Sequence, residues 1–219
     1  AFYSIAQQLA GKTSAIFSAF NSVYLPTISS LGYKNLIKNF LALSLTFNFI
    51  FLLLYTFLFL LTEDFLMLWL KNSYDPDLVI YTKLFCILVM CTSYNFLINA
   101  TNERLLKSKK IFFLELIIFV IFFPIFLYSL KINNGIFIFI TLLILKEIFC
   151  LSFKLFIFEI IKIKKLMLFI FFVFSVLILF CSIFYYVVNL ISFFIMIFFF
   201  MMFYHKKHYL ILYGYFKKI

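Results

Sequence analysis

Seven apolar or largely apolar runs follow one another along this chain, each about as long as a membrane is thick, with short polar connectors between them. A hydrocarbon core about 30 Å deep takes roughly 20 residues of helix to cross. Backbone N–H and C=O groups find no water there, so they must be paired inside the protein, and continuous apolar runs do this as α-helices. The pattern predicts helices at about Phe2–Leu25, Phe40–Leu61, Leu78–Ala100, Ile111–Leu130, Gly135–Phe158, Leu166–Val188 and Asn189–Tyr204. Only Asn189 hints at a break between the last two, which form either a tight hairpin or one long, bent helix. The expected fold class is all-α, a polytopic integral-membrane bundle of about seven transmembrane helices.

Composition removes the competing classes. Hydrophobic residues make up 67% of the chain and charged ones 12%, with mean hydropathy +1.17. Soluble domains carry about a quarter charged residues. The net charge of +11 lies mainly in connectors and the C-terminal tail, so no basic soluble surface is left for nucleic acid. The 37 Phe beside 4 Gly fit drift toward AT-rich codons better than an aromatic recognition code. Cys86, Cys91, Cys150 and Cys181 all fall in apolar spans without metal-ligand spacing, and they read as small hydrophobes. Asp75-Pro76-Asp77 spells D-x-D, but in a short connector with no nucleotide-binding fold around it, it reads as a turn. His205 and His208 sit in the basic tail without a third ligand. No phosphate-binding glycine loop, nucleophile set or zinc-protease motif is present, so neither an enzyme nor a cofactor is expected.

The basic residues alternate by connector. Lys34 and Lys38 follow the first span; Arg104, Lys107, Lys109 and Lys110 follow the third. Lys162, Lys164 and Lys165 follow the fifth; Lys206, Lys207, Lys217 and Lys218 follow the seventh. These 13 face only Lys71, Lys83 and Lys131 on the other side, with Lys12, Lys146 and Lys154 inside spans. Positive connectors stay in the cytoplasm, which predicts a cytoplasmic C-terminus. An odd number of spans then sets Ala1 on the outer face with no charged signal segment, and further helices are expected ahead of it.

The first span is the polar one. At about 100° per residue, Ser4, Gln7, Gln8, Gly11, Ser14, Ser18, Asn21 and Ser22 share a broad arc, with Lys12 at its edge. Phe2, Ile5, Leu9, Ile16 and Phe20 take the opposite arc. A mid-membrane Lys costs about 2.5–3.5 kcal/mol on insertion scales and therefore faces protein or a water-filled cavity. Either this helix lines a cavity in which Lys12 attracts an anionic group, or the polar arc binds neighbouring helices. Asn95 and Asn99, one turn apart on the third span, face a cavity or bond between helices. Lys146 and Glu147 are expected to point to different sides and pair with other helices. Lys154 and Glu115, near the inner face, are expected to snorkel. Pro124 is expected to kink the fourth span.

Tyr3-Ser4-Ile5-Ala6, then Val23-Tyr24-Leu25-Pro26-Thr27-Ile28-Ser29 and a basic connector, resemble a pattern of polysaccharide exporters, the Wzx-type flippases of the MOP superfamily. Leu68-Trp69-Leu70, Asn99-Ala100-Thr101-Asn102-Glu103 and the Asn133-Asn134-Gly135 turn follow in the order that family shows. The resemblance covers 1–158, five helices that look like most of the second bundle. It leaves 159–204 as two further spans and 205–219 as a cytoplasmic tail. The chain departs from the family in its shortage of Gly and Ala.

The resemblance implies alternating access in a bacterial inner membrane. The first bundle of the same protein is the missing partner, and undecaprenyl-pyrophosphate-linked oligosaccharide, an O-antigen or capsule repeat unit, is the substrate. Lys12 would meet the pyrophosphate. Gln7, Gln8, Ser14, Ser18 and Asn21, with Asn95 and Asn99 behind them, would meet sugar or line the cavity. Membrane lipids and a coupling ion, H+ or Na+, are the remaining expected partners. Three alternatives stand beside it: a MATE-type antiporter using Glu147 for its coupling ion, a membrane polysaccharide polymerase or glycosyltransferase, and an inactive fragment.

Overall fold

The structure, a computed structural model, describes residues 2–29, 33–104, 108–131, 135–157, 162–185 and 191. Every regular element among them is helical. These are α1 (Phe2–Ser29), α2 (Tyr33–Leu70), α3 (Pro76–Arg104), α4 (Ser108–Ser129), α5 (Gly135–Ile157) and α6 (Lys162–Phe184). Four stretches are long and apolar enough to cross a membrane: Thr46–Ser73, Pro76–Glu103, Ser108–Ser129 and Gly135–Leu155. A shorter apolar helix runs over Phe172–Phe184. Apart from Ile191, the expected seventh span and the tail at 205–219 lie outside the described residues, as do Asn133 and Asn134.

The largest departure from the apolar-run boundaries is α2, which has 38 residues. At 1.5 Å per residue it is about 57 Å long, nearly twice the hydrocarbon depth. Hydropathy marks the part of a helix that sits in lipid, whereas the helix itself runs on until something breaks it. No Gly or Pro occurs in 33–39 or 62–70. The break comes at Lys71, which turns to φ 47° and opens a short 3-10 turn, Lys71–Ser73. Asp75 then caps α3: its Oδ1 accepts the Asp77 N–H at 2.9 Å and its C=O accepts the Leu78 N–H at 3.1 Å. Pro76 fits the first helical position because no N–H is needed there. The D-x-D spelling is therefore a helix start. α4 continues through Pro124 and α1 through Pro26.

The bundle is organised around α3, which packs against α1, α2, α4, α5 and α6. Inside the protein lies 72% of its span, against 17% for α4. Small residues on α3, Cys86, Cys91, Ser93, Ala100 and Thr101, are buried and let neighbours approach on several sides. On α2, Phe47, Phe51, Tyr55 and Phe59 recur at every fourth position as a buried ladder. Tyr94 of α3 stacks on Phe172 of α6 with ring centroids 4.7 Å apart. Such aromatic pairs add about 0.5–1.5 kcal/mol beyond the area they bury.

α1 sits differently from its simple amphipathic pattern. Tyr3, Ala6, Ala10, Thr13, Phe17, Phe20 and Tyr24, spaced by alternating steps of three and four, are buried or half-buried. That spacing is a coiled-coil seam, with Ala6 and Ala10 giving the close approach to α3. Two hydroxyl contacts hold it: Thr13 Oγ1 to Tyr55 Oη of α2 at 3.0 Å, and Tyr24 Oη to Thr101 Oγ1 of α3 at 2.6 Å. Of the apolar arc, Ile5, Leu9 and Phe20 pack on the core, while Ile16 is 48% exposed. Small size and hydroxyl partners, more than hydrophobicity, choose the packed face.

The two described glycines separate close approach from open space. A Cβ on Gly135 would lie 2.5 Å from the Ser129 backbone oxygen, whereas one on Gly11 would meet nothing within 4 Å. Gly135→Ala should therefore lower the thermal stability of the detergent-purified chain, by about 1–3 kcal/mol for a forced overpacking. Gly11→Ala should raise it by about 0.5–1 kcal/mol through helix propensity.

Candidate functional site

Two polar regions stand out within the helices, and they do not share a wall. The first is the face of α1 turned away from the seam. Ser4, Gln7, Gln8, Gly11, Lys12, Ser14, Ser18 and Ser22 are all exposed. The side chain of Asn21 is not among those described. Ser14 and Ser22 each donate back to a carbonyl three residues earlier, Gly11 O at 2.6 Å and Ala19 O at 2.7 Å. Those two hydroxyls satisfy their donors locally, while their acceptor lone pairs face outward. Nothing described in the chain covers this face, so its Lys and Gln termini are free for an external partner.

The second region lies between α3, α4 and α5, around a cavity of about 380 Å³. Asn95 and Asn99 project from α3, Glu115 and Phe119 from α4, and Lys146, Glu147, Cys150 and Lys154 from α5. The sites expected together in one cavity are thus divided: Asn95 and Asn99 line this space, and no described α1 residue does.

Its charges are internally paired. Lys146 Nζ donates to Glu147 Oε1 at 2.6 Å. Asn95 Nδ2 donates to both Glu147 Oε2 and the Glu147 carbonyl, each at 2.8 Å. Lys154 Nζ meets Glu115 Oε1 at 2.5 Å, and Asn99 Nδ2 donates to the same oxygen at 3.2 Å. Two expectations change here. Lys146 and Glu147 were expected to point apart and seek other helices, but the long Lys side chain swings onto its own neighbour. Lys154 was expected to snorkel, yet it is 2% exposed, because Glu115 is close enough to meet its ammonium inside the protein. Both amide carbonyls, Asn95 Oδ1 and Asn99 Oδ1, are left screened from solvent without a hydrogen-bond donor.

Sequence spacing carried a signal for this cluster. Glu147, Cys150 and Lys154 step by three and four along α5, and Asn95 and Asn99 step by four along α3, so each set shares a helix face. What spacing does not carry is which faces meet. Among the described residues no group of three His, Cys, Asp or Glu is placed to hold a metal ion. Comparison with known protein families, curated proteins and solved structures finds no match for this chain.

Breaking a buried ion pair from one side strands the other charge. Lys154→Met should cost about 3 kcal/mol, the low end for such a loss because Glu115 is 43% exposed. The double variant Lys154→Met, Glu115→Leu should recover most of it. Thermal unfolding of the two variants side by side checks this; equal losses would mean that the pair is not coupled.

Proposed function

We propose that this chain is a membrane-embedded part of a transporter, without bond chemistry of its own, and that it moves lipid-linked oligosaccharide across a bacterial inner membrane. The observation that carries the proposal is the uncovered polar face of α1, held rigidly by the Tyr3–Tyr24 seam on its other side. Hydrocarbon cannot accept an exposed Lys12 with Gln7, Gln8, Ser14 and Ser18 beside it, so this face turns to water or to a second polar surface. A second helical bundle facing it across an aqueous cavity meets that need, and the sequence resemblance to Wzx-type flippases points the same way.

Within that reading Lys12 engages the pyrophosphate of the carrier lipid. A dehydrated ammonium opposite a phosphate anion gains strongly in low dielectric, and Gln and Ser side chains suit sugar hydroxyls. The 13-to-3 division of basic residues supports a cytoplasmic C-terminus. Glu147, the carboxylate that an ion-coupled antiporter would need free, already holds Lys146 and Asn95, which weighs against that alternative.

Two measurements test the proposal. In cells expressing the protein with its partner bundle, Lys12→Ala should lower polysaccharide export about tenfold at equal expression, the loss of one charge-assisted contact. Unchanged export would remove Lys12 from the substrate path. Single cysteines at Gln8 or Ser14 should react with a membrane-impermeant thiol reagent, while one at Phe17, buried against Phe47, should not. Lack of labelling at both exposed positions would put α1 against lipid or protein instead of water.

A further inference from the structure

The α3–α4–α5 cavity has no part in the export reading, and its chemistry is specific. Two ammonium groups, Lys146 and Lys154, balance two carboxylates, Glu115 and Glu147, so the cavity is charged in detail yet neutral in sum. Both ion pairs line the same cavity, which makes them one unit. A net-neutral unit favours a ligand that is itself neutral but carries both signs.

The position of the cavity says where such a ligand comes from. Lys154 is three residues from the end of α5, and Glu115 is seven from the start of α4. At 1.5 Å per residue these are about 5 and 10 Å inside the helix ends, at the depth of lipid headgroups and glycerol. Lys146, eight residues further, extends the cavity about 12 Å inward. Beside the opening, Phe96 of α3 and Phe119 of α4 are about half exposed, and the flanks of α4 at Phe112, Leu116 and Val120 are apolar and exposed as well. An opening framed by such residues faces lipid. Half of Glu115 and a quarter of Lys146 remain accessible from it.

We propose that this cavity holds the headgroup of a phospholipid with a phosphate and a primary ammonium, that is, phosphatidylethanolamine. Its ammonium donates N–H to the accessible carboxylate of Glu115, and its phosphate lies toward Lys146. A choline headgroup has no N–H to give to that carboxylate. An anionic headgroup brings one charge too many into a unit that is already balanced. The inference requires only that the chain sits in a membrane, and it stands or falls separately from transport.

The full chain reconstituted in nanodiscs of equal parts phosphatidylethanolamine, phosphatidylcholine and phosphatidylglycerol, then released for native mass spectrometry, reads the occupant directly. Phosphatidylethanolamine should be retained about tenfold over each of the others, the discrimination expected of a charge-assisted hydrogen bond left unmade. The double variant Lys154→Met, Glu115→Leu, which keeps the cavity neutral and is checked for unchanged helix content by circular dichroism, should bring it down to the level of phosphatidylcholine. Should that variant fail to fold, the headgroup ranking on the unaltered chain decides alone. Equal retention of all three lipids, as a merely water-filled cavity gives, a preference for phosphatidylglycerol, or full retention by the folded double variant overturns the proposal.

Discussion

Hydrocarbon offers neither hydrogen bonds nor ion solvation, so each polar group carried into the spans has to find its partner in the protein. Hydroxyls solve this within their own helix. Thr56, Thr82, Thr101, Thr141 and Ser182 each donate to the carbonyl four residues back, and Ser14, Ser22, Ser129 and Ser152 to the one three back. Groups too large or too charged for such a bond are met mostly between helices, as Asn95, Asn99 and the Lys154–Glu115 pair show, while Lys146 turns to its own neighbour Glu147. The rule is not complete among the described residues: the amides of Asn48 and Asn102 and the carbonyls of Asn95 and Asn99 are buried without a hydrogen-bond partner, and the polar face of α1 is left uncovered.

The same solvent removes most of the usual reason for helices to associate, because lipid tails are as apolar as Leu. What holds this bundle is therefore shape and specific contact. Small residues on α3 and at Ala6 and Ala10 of α1 let backbones come close. Aromatic rings fill the remaining space along α2 and between Tyr94 and Phe172. A chain with so few glycines reaches its tightest described backbone approach at the turn into α5, where Gly135 lies against the Ser129 carbonyl.

The two polar regions divide the labour. On α1 a single Lys with uncharged neighbours faces outward without a partner among the described residues. Between α3, α4 and α5 the charges are already matched, which suits a fixed structural tie that also recognises something equally balanced. Treating every intramembrane charge as one kind of signal would have merged these regions.

The succession of apolar runs determined that the described chain is helical, because only helices satisfy the backbone over such lengths in lipid; four of those helices are long and apolar enough to cross. Sequence also picked out the polar arc of Gln7, Gln8, Lys12, Ser14 and Ser18, since periodicity alone says which residues share a helix face. It set helix ends by hydropathy and so cut α2 short at both ends, because a helix runs on until something breaks it. It left open whether the polar arc of α1 binds other helices; the structure leaves that arc uncovered and packs Ile5, Leu9 and Phe20 of the opposite arc on the core, with Ala6, Ala10 and Thr13 between them. Only the tertiary structure brought Glu115, Lys146, Glu147 and Lys154 to the same cavity as Asn95 and Asn99. One-dimensional spacing fixes directions around each helix axis, while the rotation and neighbours of each helix follow from how α3 seats all the others at once.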